Sequence, residues 1–135
     1  MAKQIKNRAI RTDLIYPELS YKIIGILFEV YNNLGPGYQE KYYQKAISVA
    51  FREQRTNFKE QLLTPIKFKN NKIGKYFLDF LVDDKIILEI KKGDRFSRRD
   101  IEQVYAYLKA NNLKLGIIAN FTNSGLKYKR IINLN

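Results

Sequence analysis

A chain of 135 residues and 16.0 kDa is long enough for one hydrophobic core without a disulfide or metal staple, and its 45% hydrophobic and 28% charged residues exclude disorder over most of its length. With neither cysteine nor histidine, thiol nucleophiles, serine–histidine triads, zincins and zinc fingers are excluded, which leaves Asp, Glu, Lys, Tyr or a hydroxyl as base or ligand and favours hard cations such as Mg²⁺. The net charge of +12 and pI of 9.8 attract polyanions, nucleic acid ahead of an anionic membrane surface.

Residues 1 to about 15 are polar and basic without a sustained period and read as an N-terminal arm. They lack the apolar stretch of a signal peptide, and no later run approaches the roughly 20 apolar residues of a membrane span, so a cytoplasmic protein is expected. Residues 16–135 read as one α/β domain.

Pro17 suits a first helical position and Glu18 the positive end of a helix dipole. Ile23, Leu27, Val30 and Leu34 then recur at helical spacing until Gly35-Pro36-Gly37 stops the run. A second helix is predicted from about Tyr38 to Gln54, with Tyr43, Ile47, Ala50 and Phe51 as its apolar stripe, packed against the first. After Arg55 the pattern turns to strands over 58–69, 72–82 and 85–91, broken at Asn70-Asn71 and Asp83-Asp84. Short connections favour antiparallel pairing, and the apolar runs Phe77–Val82 and Ile86–Ile90 predict central strands covered on both faces. A helix over about 98–111, a buried strand over 115–119 and a basic strand or tail over 126–132 complete a mixed sheet flanked by helices in the order ααβββαβ.

Two carboxylates stand inside those apolar strands: Asp79 in Phe77-Leu78-Asp79-Phe80-Leu81-Val82, and Glu89 in Ile86-Ile87-Leu88-Glu89-Ile90, next to Lys91. A buried carboxylate needs an opposite charge, hydrogen bonds or a proton, and two together repel; a divalent cation would answer both. Glu89 and Lys91 face the same way because side chains alternate. A two-residue turn at Asp83-Asp84 would pair Asp79 with Leu88 and send the carboxylates to opposite faces, whereas a three-residue connection, or a bulge, pairs Asp79 with Glu89. The second register is expected, because it alone brings the carboxylates together beside a lysine. The alternative is a set of strand-end charges reaching water, with Lys91 as their salt-bridge partner.

The run Gly37-Tyr38-Gln39-Glu40-Lys41-Tyr42-Tyr43 fits Gly-x-x-Glu-x-x-Tyr, and it is followed by Leu78-Asp79, Glu89-Ile90-Lys91 and Gln103-Val104-Tyr105-Ala106-Tyr107-Leu108. With these motifs in this order the chain resembles the GxxExxY proteins of the PD-(D/E)XK nuclease superfamily, from about Tyr16 to the C-terminus. Leu78 stands where that superfamily's proline would be. The resemblance implies a restriction-endonuclease-like core and a metal-dependent nuclease. In it Asp79 and Glu89 ligate Mg²⁺ or Mn²⁺ with the Ile90 carbonyl, Lys91 polarises the attacking water, and Glu40 adds a carboxylate. It places Gln103 and Tyr107, at i and i+4 on one helix face, beside the centre.

Basic residues cluster at Lys91-Lys92, Arg95, Arg98-Arg99 and again at Lys127, Lys129 and Arg130, with aromatic residues among them. This pattern suits phosphate contact with stacking, and no sequence-reading motif accompanies it. DNA ahead of RNA is the expected partner, with a homodimer expected by analogy. Three readings follow: a metal-dependent DNA nuclease, a non-catalytic nucleic-acid-binding module on the same fold, and an interaction protein whose basic face meets an acidic partner.

Overall fold

The structure, a computed structural model, describes residues 15–134, so the predicted arm over 1–15 lies almost entirely outside the described residues. Helix α1 spans Pro17–Leu34, with proline in the first turn beside Glu18 and with Ile23, Ile26, Leu27 and Val30 buried. It stops where the Gly35 N–H donates to the Tyr31 carbonyl at 2.7 Å. Gly37 has φ +99°, a conformation that a side chain resists, and helix α2 follows over Glu40–Glu53.

Tyr43 locks this turn. It is fully buried, stacks on Phe121 at 4.1 Å, donates its hydroxyl to the Gly35 carbonyl at 2.7 Å and accepts the Tyr38 N–H at 3.2 Å. The Gly-x-x-Glu-x-x-Tyr run thus has a local structural meaning: a left-handed glycine, a carboxylate opening the helix, and a tyrosine reaching back over the turn.

Strands β1 (Phe58–Phe68), β2 (Asn71–Val82) and β3 (Ile86–Lys92), helix α3 (Arg98–Ala110), and strands β4 (Leu115–Thr122) and β5 (Gly125–Ile132) complete the order. The basic tail over 126–132 is therefore a fifth strand. The sheet runs β1-β2-β3-β4-β5; only β3 and β4 pair in parallel, joined by α3 as a parallel connection requires. Helices α1 and α2 cover one face over Phe80, Leu88, Ile90, Ile117 and Phe121. Helix α3 covers the other over Leu78, Ile87 and Ile118.

Gly116 lets α3 approach closely: a Cβ there would lie 2.5 Å from Val104 Cγ1. Gly116→Ala is therefore expected to cost about 1–3 kcal/mol by overpacking, read as a lower urea midpoint with unchanged m-value.

The central hairpin departs from expectation in its extent. β1 and β2 pair along nearly their whole length, from Phe58↔Val82 to Phe68↔Asn71, whereas β2 and β3 pair only at Phe80↔Leu88, Leu81↔Ile87 and Val82↔Ile86. Strand β2 is therefore central only near its end, and Phe77, expected to be covered, is exposed. Apolar composition reveals a strand but not where its neighbour leaves it.

Candidate active site

The site forms where β2 and β3 part. Val82 and Ile86 flank a three-residue connection, Asp83-Asp84-Lys85, and the register places Asp79 next in line against Glu89. Beyond Phe80↔Leu88 the ladder ends, and the carboxylates take over its hydrogen bonds. The Asp79 N–H donates to Glu89 Oε1 at 3.0 Å, and the Ile90 N–H donates to Asp79 Oδ2 at 2.7 Å. Both side chains are buried, 7% exposed at Asp79 and 4% at Glu89.

Strand alternation also breaks here. Leu78 packs on the α3 side and Phe80 on the α1–α2 side, although residues two apart on a regular strand share a face. Asp79 lies between them. Opposite it the β1–β2 ladder skips Gln61 without changing register, from Glu60↔Phe80 to Leu62↔Leu78, and Gln61 has φ +53°. The irregularity turns the Asp79 carboxylate so that α2 reaches it: Gln44 Nε2 donates to Asp79 Oδ1 at 2.9 Å.

Burial, followed by the charge of Asp79, pushes Glu89 up to about 9. Burial raises Asp79 too, against its hydrogen bonds and the charge of Lys91. The pair without metal therefore holds a proton at neutral pH. Lys91 Nζ lies 4.0 Å from Glu89 Oε2 and 3.7 Å from Asp100 Oδ1. Burial disfavours its charge, but Glu89, Asp100, Glu40 and Asp79 together hold it above the ordinary lysine value, as a cation.

The folded pKa of Glu89 exceeds its unfolded value, so folding takes up a proton between the two. That stabilisation is complete below about pH 4.5 and is lost as pH rises through about 9. The melting temperature in EDTA is expected to fall steadily from about pH 5 to about pH 9 and to level off above it, and a divalent cation should remove most of the fall.

Glu40, the first residue of α2, accepts the Lys92 N–H at its Oε2 at 3.2 Å. It contributes charge at Asp79 and Lys91 without joining the pair: among the described residues no three acidic side chains form a ready metal cluster. Ile90 buries its side chain in the α1–α2 core, so only its backbone is offered to the site. The donor chemistry nevertheless fits a hard divalent cation, because two buried carboxylates of like charge repel until a cation separates them.

Gln103 and Tyr107 stand on α3, on the side of the sheet where Tyr76, its hydroxyl pushed up by burial and then by the charge of Glu89, lies between α3 and the centre. Tyr107 is half-buried against the α3-side core and lines a groove of about 390 Å³ between α3 and the hairpin, a groove in which neither Asp79 nor Glu89 takes part. The Gln103 carbonyl accepts the Tyr76 hydroxyl at 3.3 Å. Two contributors were not singled out from sequence, Gln44 and Asp100. Their signals were present: Gln44 is four residues after Glu40 on the same helix face, and Asp100 follows the N-cap Ser97, which accepts its N–H at 3.4 Å.

Lys92, Arg95, Arg98 and Arg99 are exposed on and beside the β3–α3 loop, and Lys127 and Lys129 are exposed on β5. Arg98 is bound to Glu102 at 3.0 Å. Lys127 lies opposite Asn120, which lies opposite Lys91, and Asn120 Nδ2 fastens the loop through the Gly93 and Arg95 carbonyls at 3.2 and 2.8 Å. Arg130 stands apart: half-buried, it donates to the Ile15 carbonyl at 3.1 Å. Among the described residues no helix is long and apolar enough to cross a membrane.

Residues 17–131 match the family model of the PD-(D/E)XK nuclease superfamily. No curated protein matches. A solved structure described as "Crystal structure of SSO0001" is similar in fold, with a TM-score of 0.52 over 69% of this chain at 14% sequence identity, and the match spans 50% of that chain.

Proposed function

Because the chain belongs to the PD-(D/E)XK nuclease superfamily, we propose that it is a metal-dependent nuclease of the GxxExxY type, hydrolysing phosphodiester bonds of DNA. The observation that carries this reading is the pair Asp79 and Glu89, buried and braced across the parting of two strands, with the ammonium of Lys91 4.0 Å from Glu89. Nucleases of this superfamily generally depend on a divalent metal.

Asp79, Glu89 and the Ile90 carbonyl would hold Mg²⁺ or Mn²⁺, which when bound supplies a Lewis acid that activates water and offsets charge on the phosphodiester. Lys91 orients the attacking water and lends positive charge to the phosphate oxygens as they grow more negative. Asp100 holds Lys91 in place. Gln44 fixes the rotation of the Asp79 carboxylate, leaving its other oxygen to the Ile90 N–H. Glu40 steadies the start of the basic loop through Lys92 N–H. DNA is assigned ahead of RNA, with a cytoplasmic location and copies acting in pairs.

Lys92, Arg95, Arg99, Lys127 and Lys129 receive the phosphates. Measured without metal, replacing each with Gln should lower the slope of log K against log[salt] on duplex DNA by about 0.9. Arg130→Gln should leave that slope unchanged and lower the melting temperature instead.

A second reading rests on one observation: both carboxylates already satisfy backbone N–H groups left by the broken ladder. On that account they are structural and the protein is a non-catalytic nucleic-acid-binding module. Incubation of DNA with the protein in Mg²⁺ or Mn²⁺, beside Asp79→Ala, separates the two, since only the nuclease reading predicts cleavage that the substitution removes. Crystals soaked in Mn²⁺ should show density between Asp79 and Glu89.

A further inference from the structure

The β1–β2 hairpin continues past the site as an arm. Among the described residues, β2 from Asn71 to Leu78 has β1 on one side and no strand on the other; at about 3.3 Å per residue, its tip lies roughly 25 Å from Asp79. Between Gln61 and Leu78 the chain carries Lys67, Lys69, Lys72 and Lys75 and no acidic residue, and none of these lysines forms an ion pair among the described residues. Beside them stand Leu63, Phe68, Ile73 and Phe77, 53%, 60%, 66% and 46% exposed. Two lysines lie over two of these rings, Lys69 on Phe68 at 5.4 Å and Lys75 on Phe77 at 5.8 Å.

Lysines alone on a free strand edge would be accounted for by protection against edge pairing. Exposed phenylalanine, leucine and isoleucine on both strands of the same hairpin, Leu63 directly opposite Phe77, work against that protection and mark a surface that something covers. Charge selects the occupant: a second copy would set four lysines against four lysines, whereas a polyanion neutralises them. The rings select its form, because unpaired bases present faces to stack on and paired bases in a duplex do not.

We propose that the arm binds an unpaired nucleic-acid strand, stacking bases on Phe68 and Phe77 and contacting phosphates through the four lysines, and guides that strand to Asp79. The substrate would then be single-stranded or carry a single-stranded tail. The inference rests on the nucleic-acid reading above and assigns the arm, which the basic clusters at 91–99 and 127–130 do not include.

The test measures binding of a labelled oligothymidylate, the corresponding duplex and a base-free strand of equal length, all in EDTA. Phe68→Ala with Phe77→Ala should weaken oligothymidylate binding by about tenfold or more while leaving duplex and base-free strand unchanged. Replacing the four lysines with Gln should weaken the oligothymidylate and base-free strands alike and lower the single-strand salt slope by about 2–3. All these side chains are exposed, so melting temperatures should stay near the parent's. Parent-like oligothymidylate affinity in both variants overturns the inference. So does a parent dimer that dissociates on arm substitution with no change in affinity, since the face would then join two copies. If the arm variants lose the strand but Asp79→Ala cleaves like the parent, the arm assignment stands and the nuclease centre falls; if Asp79→Ala is dead and the arm variants bind normally, the reverse holds.

Discussion

Glu89→Gln is expected to abolish metal-dependent cleavage, by about 10³-fold or more, and at the same time to melt higher than the parent at pH 9 in EDTA. The opposite signs arise from one cause. Glu89 is buried beside Asp79 and pushed up to about 9, so deprotonating it in the absence of metal leaves two charges facing each other in a dry site. Glutamine keeps the carbonyl oxygen that accepts the Asp79 N–H and removes the charge. It also removes the metal's ligand: added Mn²⁺ should stabilise the parent by about 2.7 kcal/mol at a hundred times its Kd and leave the variant unmoved. Lys91→Ala should lose about 10²–10³ in single-turnover rate, with metal-induced stabilisation retained. Asp79→Ala and Lys91→Ala that both cut at the parental rate would end the assignment of the centre.

Tyr43→Ala should cost about 3–5 kcal/mol of folding free energy. The ring is fully buried and stacked on Phe121, so truncation opens a cavity where α2 meets β4 and frees the turn that orients the helix carrying Glu40 and Gln44. Tyr43→Phe keeps the stack and loses only the hydroxyl's bonds to Gly35 and Tyr38, which should cost about 1–2 kcal/mol. Urea unfolding gives both values. Equal losses in the two variants would show that the hydroxyl, not the ring, holds the turn.

The centre was legible because charges inside apolar strands have few explanations: Asp79, Glu89 and Lys91 stood out by contrast with their neighbours, and strand alternation put Glu89 and Lys91 on one side. Only one register brings the carboxylates together, and the three-residue connection between Val82 and Ile86 sets it, with Asp79 next in line opposite Glu89 just beyond the last ladder pair. Gln44 and Asp100 carried only positional signals, the spacing from Glu40 and the place after Ser97, and no such contrast with their neighbours. A polar residue on an amphipathic helix looks the same whether it meets water or a carboxylate from another strand, so Gln44 resembles Lys41 and Lys45 until α2 is laid across β2. Arg130 illustrates the converse, a basic residue that reads as surface charge yet turns inward to the Ile15 carbonyl.

The sequence by itself determined the element order, the punctuation at Pro17 and Gly35-Pro36-Gly37, the basic charge, and the acidic residues in the middle strands, since these depend on side-chain chemistry and on periods of a few residues. Only the tertiary structure decided where β3 leaves β2, how Gln61 breaks the alternation at Asp79, which helix residue touches that carboxylate, and that the hairpin runs on as a free arm. Those features depend on contacts between segments far apart in the chain, and no local pattern of apolar and polar residues encodes which surface a given face will meet.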